Sequence, residues 1–488
     1  MLPAGGQAPG RAAVPPLPGP AGSAAAQQSS APGSGINTVT SNVEVTGEYQ
    51  GSIPSRTLPP GPVTLTLADA IKLGLAANLG TITADDSVRA MRAERLQALS
   101  ALLPNISANA SDTVAQVNLA AYGFQFKLPP GLNFSIPTVV GPFNYSQLQA
   151  TLSQSIYDPV SRRNWQASKE NERASILSAK NARELVVLAV AGMYMQTVAE
   201  QESLASQRAQ VANAQAVYDQ AVVRKQAGTN ARIDVMRSLV ELDMQKQRLR
   251  SMESEWQKQK IAFARLIGLP LDRELILSQP LSFDKQAIPD TDAAIQQALA
   301  SRPDLQAAQA QVRAAERTLA AARAERLPSI SVSGNYGVLG PDPTSMHGVF
   351  AVTGSLNIPI WQGGRTKADI EQAEAVVRQR RAELENQRSA VEQDVRTALI
   401  DLRTAEGQLE LAQHNRAYAQ ETFTEARDRF NAGVATTVEV VQAQEQVAAA
   451  ESDYISSLYS FNLAQLELAK AMGDTEAALL KFEKGGKE

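Results

Sequence analysis

The chain of 488 residues contains no cysteine, two histidines (His347 and His414) and only 5% aromatic residues. Disulfides, thiolate metal sites and cysteine nucleophiles are excluded, and a zinc site using both histidines would have to draw its ligands from distant segments. No grouping of nucleophile, general base and metal ligands stands out, so neither an enzyme nor a bound cofactor is expected. The 46 basic and 50 acidic side chains leave a net charge of −4 with the signs mixed. That balance provides no field for steering a polyanion, and nucleic acid is not an expected partner. Long apolar runs are also missing. The longest, around Leu185 to Met195, is too short to cross a hydrocarbon core of about 30 Å as a helix, so any membrane-spanning part must consist of strands.

Residues 1–62 read as a low-complexity tail. Met1 leads into LPAGGQAPGRAAVPPLPGP without the apolar stretch of a secretory signal, so no signal peptide is expected there. The Pro-, Gly-, Ala- and Ser-rich beginning cannot bury enough apolar surface to offset its ordering entropy and reads as flexible.

What is present is a duplication. At an offset of 205 residues, Ala227-Gly228 superposes on Ala432-Gly433, Val186 on Val391, Val190 on Val395, Asp234 on Glu439 and Val235 on Val440. An upstream block matches at an offset of 224, placing Ala70-Ile71 on Ala294-Ile295 and Leu103-Pro104 on Leu327-Pro328. The pattern predicts a first repeat over 63–268, with helices 67–103, 163–227 and 231–267 and strands 105–124 and 143–157. A linker, 269–290, leads to a second repeat over 291–473, with helices 291–327, 365–431 and 435–472 and strands 329–339 and 348–361; a tail, 474–488, follows.

The predicted strands differ in character from everything around them. They are rich in Ser, Asn, Thr and Val, and only Asp112 and Lys127 are charged between 105 and 157. Alternation is visible in Ser329-Ile330-Ser331-Val332-Ser333 and in Leu148, Ala150 and Leu152. Strands of about ten residues with period two suit a tilted transmembrane β-strand. The scarce aromatics gather here, at Tyr122, Phe124, Phe143, Tyr145, Tyr157, Tyr336, Phe350 and Trp361, as an interfacial girdle would require. A pair of soluble hairpins is the competing reading.

The long helices exceed the needs of a compact domain: about 65 residues at 1.5 Å per residue span roughly 100 Å. Leu242, Leu249, Trp256 and Phe263 recur every seven residues, and Val447, Tyr454, Phe461 and Leu468 keep the same register in the second repeat. Such a seam packs against a neighbouring helix. Trp256 within it reads as packing rather than as a ligand platform. A soluble or peripheral coiled-coil scaffold would share this pattern.

Two copies of helix, strand, strand, long helix, Gly turn and helix resemble the TolC-like outer-membrane efflux protein family. The resemblance covers about 63–473. It rests on Leu65-Thr-Leu-Ala-Asp-Ala-Ile71, Arg302-Pro-Asp-Leu305, Trp361-Gln-Gly-Gly-Arg365 and the paired turns Ala227-Gly-Thr-Asn-Ala-Arg-Ile-Asp234 and Ala432-Gly-Val-Ala-Thr-Thr-Val-Glu439, all in order. It implies a mainly α protein with a membrane β part, acting as a homotrimer whose four strands per chain close a 12-stranded barrel continuous with a long α-helical barrel. The implied role is the outer-membrane exit duct of a tripartite efflux pump or type I secretion system. Its partners would be outer-membrane lipid, a periplasmic adaptor and an inner-membrane transporter, and 269–290 would be an equatorial linker.

The resemblance also implies sites. Gly228, Thr229 and Asn230, and Gly433, Val434 and Ala435, correspond to the tips that meet the adaptor; a plain helix C-cap is the alternative reading of each glycine. Asp234 and Glu439 correspond to acids at the periplasmic entrance, although an acid just after a turn also complements a helix dipole. Gln442 stands where a further acidic ring would be, and Ala435 where an Arg latches the mouth, leaving Arg232 as a substitute. With no cysteine in the sequence, an N-terminal lipid anchor on cysteine is not expected. Gly363-Gly364 lacks the frame of a phosphate loop, and His347 and His414 read as solvated.

Overall fold

In the computed structural model, described residues are 24–29, 40–45, 49, 51–54, 61–123, 138–228, 231–278 and 288–475. Phe124, Thr229 and Asn230 lie outside them. Among the described residues the order is β1 (Ala24–Ser29), β2 (Thr40–Val45), β3 (Val63–Leu65), α1 (Leu67–Ala77), α2 (Leu79–Ser100), β4 (Asn105–Asn118), β5 (Val139–Tyr157), α3 (Pro159–Gln226) and α4 (Arg232–Leu266). Then follow β6 (Leu275–Leu277), α5 (Thr291–Ser301), α6 (Pro303–Ala324), β7 (Ser329–Gly340), β8 (His347–Asn357), α7 (Arg365–Asn431) and α8 (Thr437–Ala471). The chain is mainly helical. The duplication appears in helix lengths: α1 and α5 have 11 residues each, α2 and α6 have 22, α3 and α7 have 68 and 67, and α4 and α8 have 35.

The helices expected over 67–103 and 291–327 are each two helices. The breaks fall at Asn78 and Arg302, which are equivalent at the 224-residue offset, and both have extended backbone. Arg302 precedes Pro303, whose ring disfavours helical geometry in the residue before it. Asn78 has no such neighbour, and its cause is tertiary: its fully buried side chain donates to the Tyr49 carbonyl (2.7 Å) and accepts from the Gly80 N–H (2.8 Å). Other bounds also move. The first long strand ends at Asn118, where Asn118 caps a short 3-10 helix over Leu119–Tyr122, and the second begins at Val139. The fourth strand ends at Asn357, so Trp361 follows it. Within the tail read as flexible, β1 and β2 pair antiparallel, and within the linker β6 pairs in parallel with β3.

The chain divides into two compact units, one of 1–86, 177–305 and 388–488, the other of 87–176 and 306–387. The core of the first unit gathers Leu65, Ala70, Val186, Val190, Tyr194, Phe263 and Ile267. The apolar run noted in the sequence, Leu185 to Met195, is buried almost all round inside α3, as a helix apolar on every face must be. Each heptad-seam residue from Leu242 to Phe263 and from Val447 to Leu468 is buried or half-buried. Gly268 (φ +74°) and Gly473 (φ +73°) close the repeats, and a Cβ on either would collide with the preceding helix pair's break, at Ala77 and at Ser301 and Arg302. Arg302 donates to Asp304 (2.6 Å) and Asp394 (2.8 Å); burial opposes its charge, and the two carboxylates more than compensate.

In the second unit, β4, β5, β7 and β8 form one antiparallel sheet in that order. Its flanking helices are stapled by Arg95 to Glu172 (2.8 Å), Arg313 to Glu170 (2.9 Å) and Arg323 to Glu374 (2.8 Å).

Candidate functional site

The pairing register sorts the sheet into two faces. Ile106 lies opposite Leu152, Ala110 opposite Leu148, Ala150 opposite Tyr336, and Tyr336 opposite Phe350. These residues, with Val332, Val352 and Leu356, form one apolar face. Phe350, Val352 and Ile106 on it are 79%, 74% and 75% exposed in the single chain. The other face carries Asn105, Ser107, Asn109, Gln149, Thr151, Ser153, Ser331, Asn335, Thr353 and Ser355. An apolar face bare of any covering layer beside a mainly polar one is unsuited to a water-soluble sheet, and it is the pattern of a wall between lipid and an aqueous lumen. β4 and β8 are the edges, and neither has a partner on its outer side among the described residues.

The aromatic set does not stay together. Tyr336 and Phe350 stand as a cross-strand pair on the apolar face, and Trp361, 85% exposed, follows β8. Phe143 and Tyr145, expected in the same girdle, share the parity of Gln147, Gln149 and Thr151 and therefore project from the polar face. Two side-chain contacts fix this parity: the Phe143 and Tyr145 rings meet at 6.3 Å, and Gln147 donates to Gln149. The composition of the segment could not reveal it, because an aromatic near a strand end serves either face. Tyr157 follows a register irregularity and lies opposite Ile330. Tyr122 closes the short 3-10 helix after β4.

The two helical hairpins end in glycine turns. Gly228 (φ +77°) and Gly433 (φ +80°) have nothing within 4 Å of an added Cβ, so conformation and not space requires glycine there. At the end of α7 the Gly433 N–H bonds Phe430 O and the Val434 N–H bonds Arg429 O, both at 3.0 Å, which satisfies terminal carbonyls as a Schellman closure does. Val434 is 67% exposed; Ala435 packs partly against Val217, Phe430 and Val440. Glu439 forms a capping box with Thr436, each accepting the other's N–H at 3.4 Å, and lies 4.0 Å from Arg429. Asp234 sits in the first turn of α4, 4.0 Å from Arg237. Both acids therefore do helix-start work. Gln442 and Arg232 are exposed.

One contact was missed in the sequence. Arg224, in the last turn of α3, lies over the Phe430 ring at 4.1 Å to the centroid and donates to the carbonyls of Phe430 (2.5 Å) and Asn431 (3.2 Å). Gln220 adds a bond to the Asn431 side chain (2.7 Å), and the fully buried Gln444 of α8 donates to Gln210 O (3.1 Å). The signal was available in the duplication: Arg224 matches Arg429, but Phe430 matches Lys225.

No described helix is long and apolar enough to cross a membrane, and no three acidic or histidine side chains among the described residues group to hold a metal ion. A duplicated, mainly helical chain whose amphipathic four-stranded sheet supplies its membrane-suited part belongs to a class of outer-membrane channel proteins. The chain belongs to the outer membrane efflux protein family, whose model matches residues 83–269 and 294–474. It is 28% identical over 204 residues to the pyoverdine export outer membrane protein OpmQ of Pseudomonas putida, across 41% of this chain and 43% of that one. With OpmQ of Pseudomonas aeruginosa it shares 26% over 312 residues, across 63% and 65%. The matches thus span less than two thirds of these relatives' lengths. In fold it is similar to the CmeC outer membrane channel of Campylobacter jejuni, with a TM-score of 0.72 at 17% identity over 90% of this chain and 95% of that one.

Proposed function

We propose that this chain is the outer-membrane exit duct of a tripartite efflux pump. Three copies would each contribute β4, β5, β7 and β8 to a 12-stranded barrel in outer-membrane lipid, and their long helices would form the α-helical barrel that follows. The duct conducts passively. Substrates reach it through a periplasmic adaptor and an inner-membrane transporter. The observation that carries this reading is the sheet: one apolar and one polar face, with two open edges. An unpaired edge in hydrocarbon leaves every second N–H and C=O of the strand unsatisfied at several kcal/mol each, so four strands cannot remain alone in a bilayer. The same apolar face speaks against a soluble or peripheral scaffold. Family membership and the pyoverdine-exporting relatives support the efflux role.

The glycine tips at Gly228 and Gly433, with Val434 and Ala435, are assigned to adaptor contact, and Asp234, Glu439, Gln442 and Arg232 to the periplasmic entrance. Mass measurement in detergent and after reconstitution tests the whole reading. A stable trimer that forms ion-conducting pores is expected; a folded, bilayer-embedded monomer overturns it.

A further inference from the structure

Toward the end of β4 the two faces of the sheet lose their contrast. Over most of its length the apolar face carries Ile106, Leu152, Ala150 and Leu148, but farther along the same face come Asp112 of β4 and Ser146 of β5, with Ser146 Oγ donating to Asp112 Oδ1 at 2.7 Å, and then Asn144 opposite Val114. A carboxylate facing hydrocarbon is penalised, so the lipid-facing band ends near that level. On β5 the distance from Tyr157 to Ser146 is 11 residues, about 36 Å along the strand and about 28 Å vertically at a tilt near 40°, close to the height of an apolar band. At this level the polar face changes as well. On β5 Gln149 and Gln147 give way to Tyr145 and Phe143, which lie opposite Thr113 and Ala115 of β4, and Leu339 of β7 lies opposite Gln147.

We infer that Phe143 and Tyr145, with Leu339 on the neighbouring strand one same-face pair below them, line the bore of the duct at its outer end. There the rings of three copies form an aromatic collar that narrows the passage and hinders bulky polar solutes from entering from outside. This rests on the trimeric-duct reading above. It replaces a role in the lipid girdle, which the parity of the strand rules out for these two residues. The collar is a second constriction, distinct from the entrance assigned to Asp234 and Glu439.

The absence of native cysteine makes the test clean. Single cysteines at Tyr145, at Ser333 deeper on the polar face and at Leu148 on the apolar face are introduced into the full chain. Each is exposed in intact outer membranes to a small membrane-impermeant maleimide and to a polymer-bearing one. Tyr145→Cys and Ser333→Cys should react with the small reagent and Leu148→Cys should not. The bulky reagent should reach Ser333→Cys slowly, and several-fold faster when Phe143→Ala and Tyr145→Ala are added. If Leu148→Cys reacts as fast as Ser333→Cys, the sheet has no lipid face and the duct reading fails. If those two differ but Tyr145→Cys is inert, or the alanines leave the bulky reagent's rate unchanged, the duct stands and the collar is overturned.

Discussion

Arg224 and Phe430 fasten the two helical hairpins of one chain to each other: the guanidinium stacks on the ring at 4.1 Å while donating to that residue's own carbonyl. The repeat-equivalent arginine, Arg429, stays within its hairpin at 4.0 Å from Glu439. Lys225 occupies the position equivalent to Phe430. The duplication therefore supplies this bond once per chain. A cation–π contact contributes about 0.5–1 kcal/mol and a hydrogen bond from a charged group about 1.5–3 kcal/mol. Phe430→Ala removes the ring but keeps the carbonyl, so a double-mutant cycle of Arg224→Ala and Phe430→Ala should return the cation–π part alone, a coupling of about 0.5–1 kcal/mol. Amide exchange should accelerate in the last turns of α3 and α7 and remain unchanged in β5 and β7. A coupling near zero would show the contact to be incidental.

The two faces of β8 make opposite predictions for neighbouring residues. Val352→Arg places a cation on the apolar face near mid-strand and should cost about 2–4 kcal/mol, seen as lost trimer in the outer membrane and a lower melting temperature. Thr353→Arg, one residue on and on the other face, should be tolerated. Equal effects at both positions would mean that neither face meets lipid.

At the entrance, six carboxylates from Asp234 and Glu439 of three chains would attract multivalent cations. Such cations, added on the periplasmic side of a planar bilayer, should block single-channel current, and Asp234→Asn with Glu439→Gln should relieve the block. Glutamine can retain the capping box with Thr436, so the variant tests charge without unravelling α8. Gln442 adds no charge, and the block should be modest. Block that persists in the double variant would reduce both residues to helix-start acids.

Stability should fall between about pH 4.5 and 7 because of two acids in the helices. Burial, reinforced by Asp401, raises Glu467 from 4.5 to about 7, against the opposing pull of Lys470; burial and Glu255 raise Glu200 to about 7. A carboxyl whose folded pKa is raised holds its proton more tightly when folded, so its penalty is absent below 4.5, grows across this window and is complete above 7. Glu467→Gln should therefore melt higher than the parent at pH 8, match it near pH 4.5, and show a shallower slope between. Parallel slopes in the two proteins would refute the assignment.

The sequence alone determined the repeated order of elements, because the 205- and 224-residue offsets preserve apolar spacing and glycine turns, and those depend on local geometry. It also determined that the strands are amphipathic, since period two is written in Ser329 to Ser333. Tertiary structure decided what local pattern leaves open. Asn78 breaks a helix because Tyr49 offers a carbonyl from elsewhere in the chain. Arg224 finds Phe430 across a distance of 206 residues in sequence. Phe143 and Tyr145 were legible as strand aromatics but not as residues of the polar face, because the face of an aromatic is set by its register against β4 and β7. Register is a property of paired strands, and a one-residue change in it reverses every side chain.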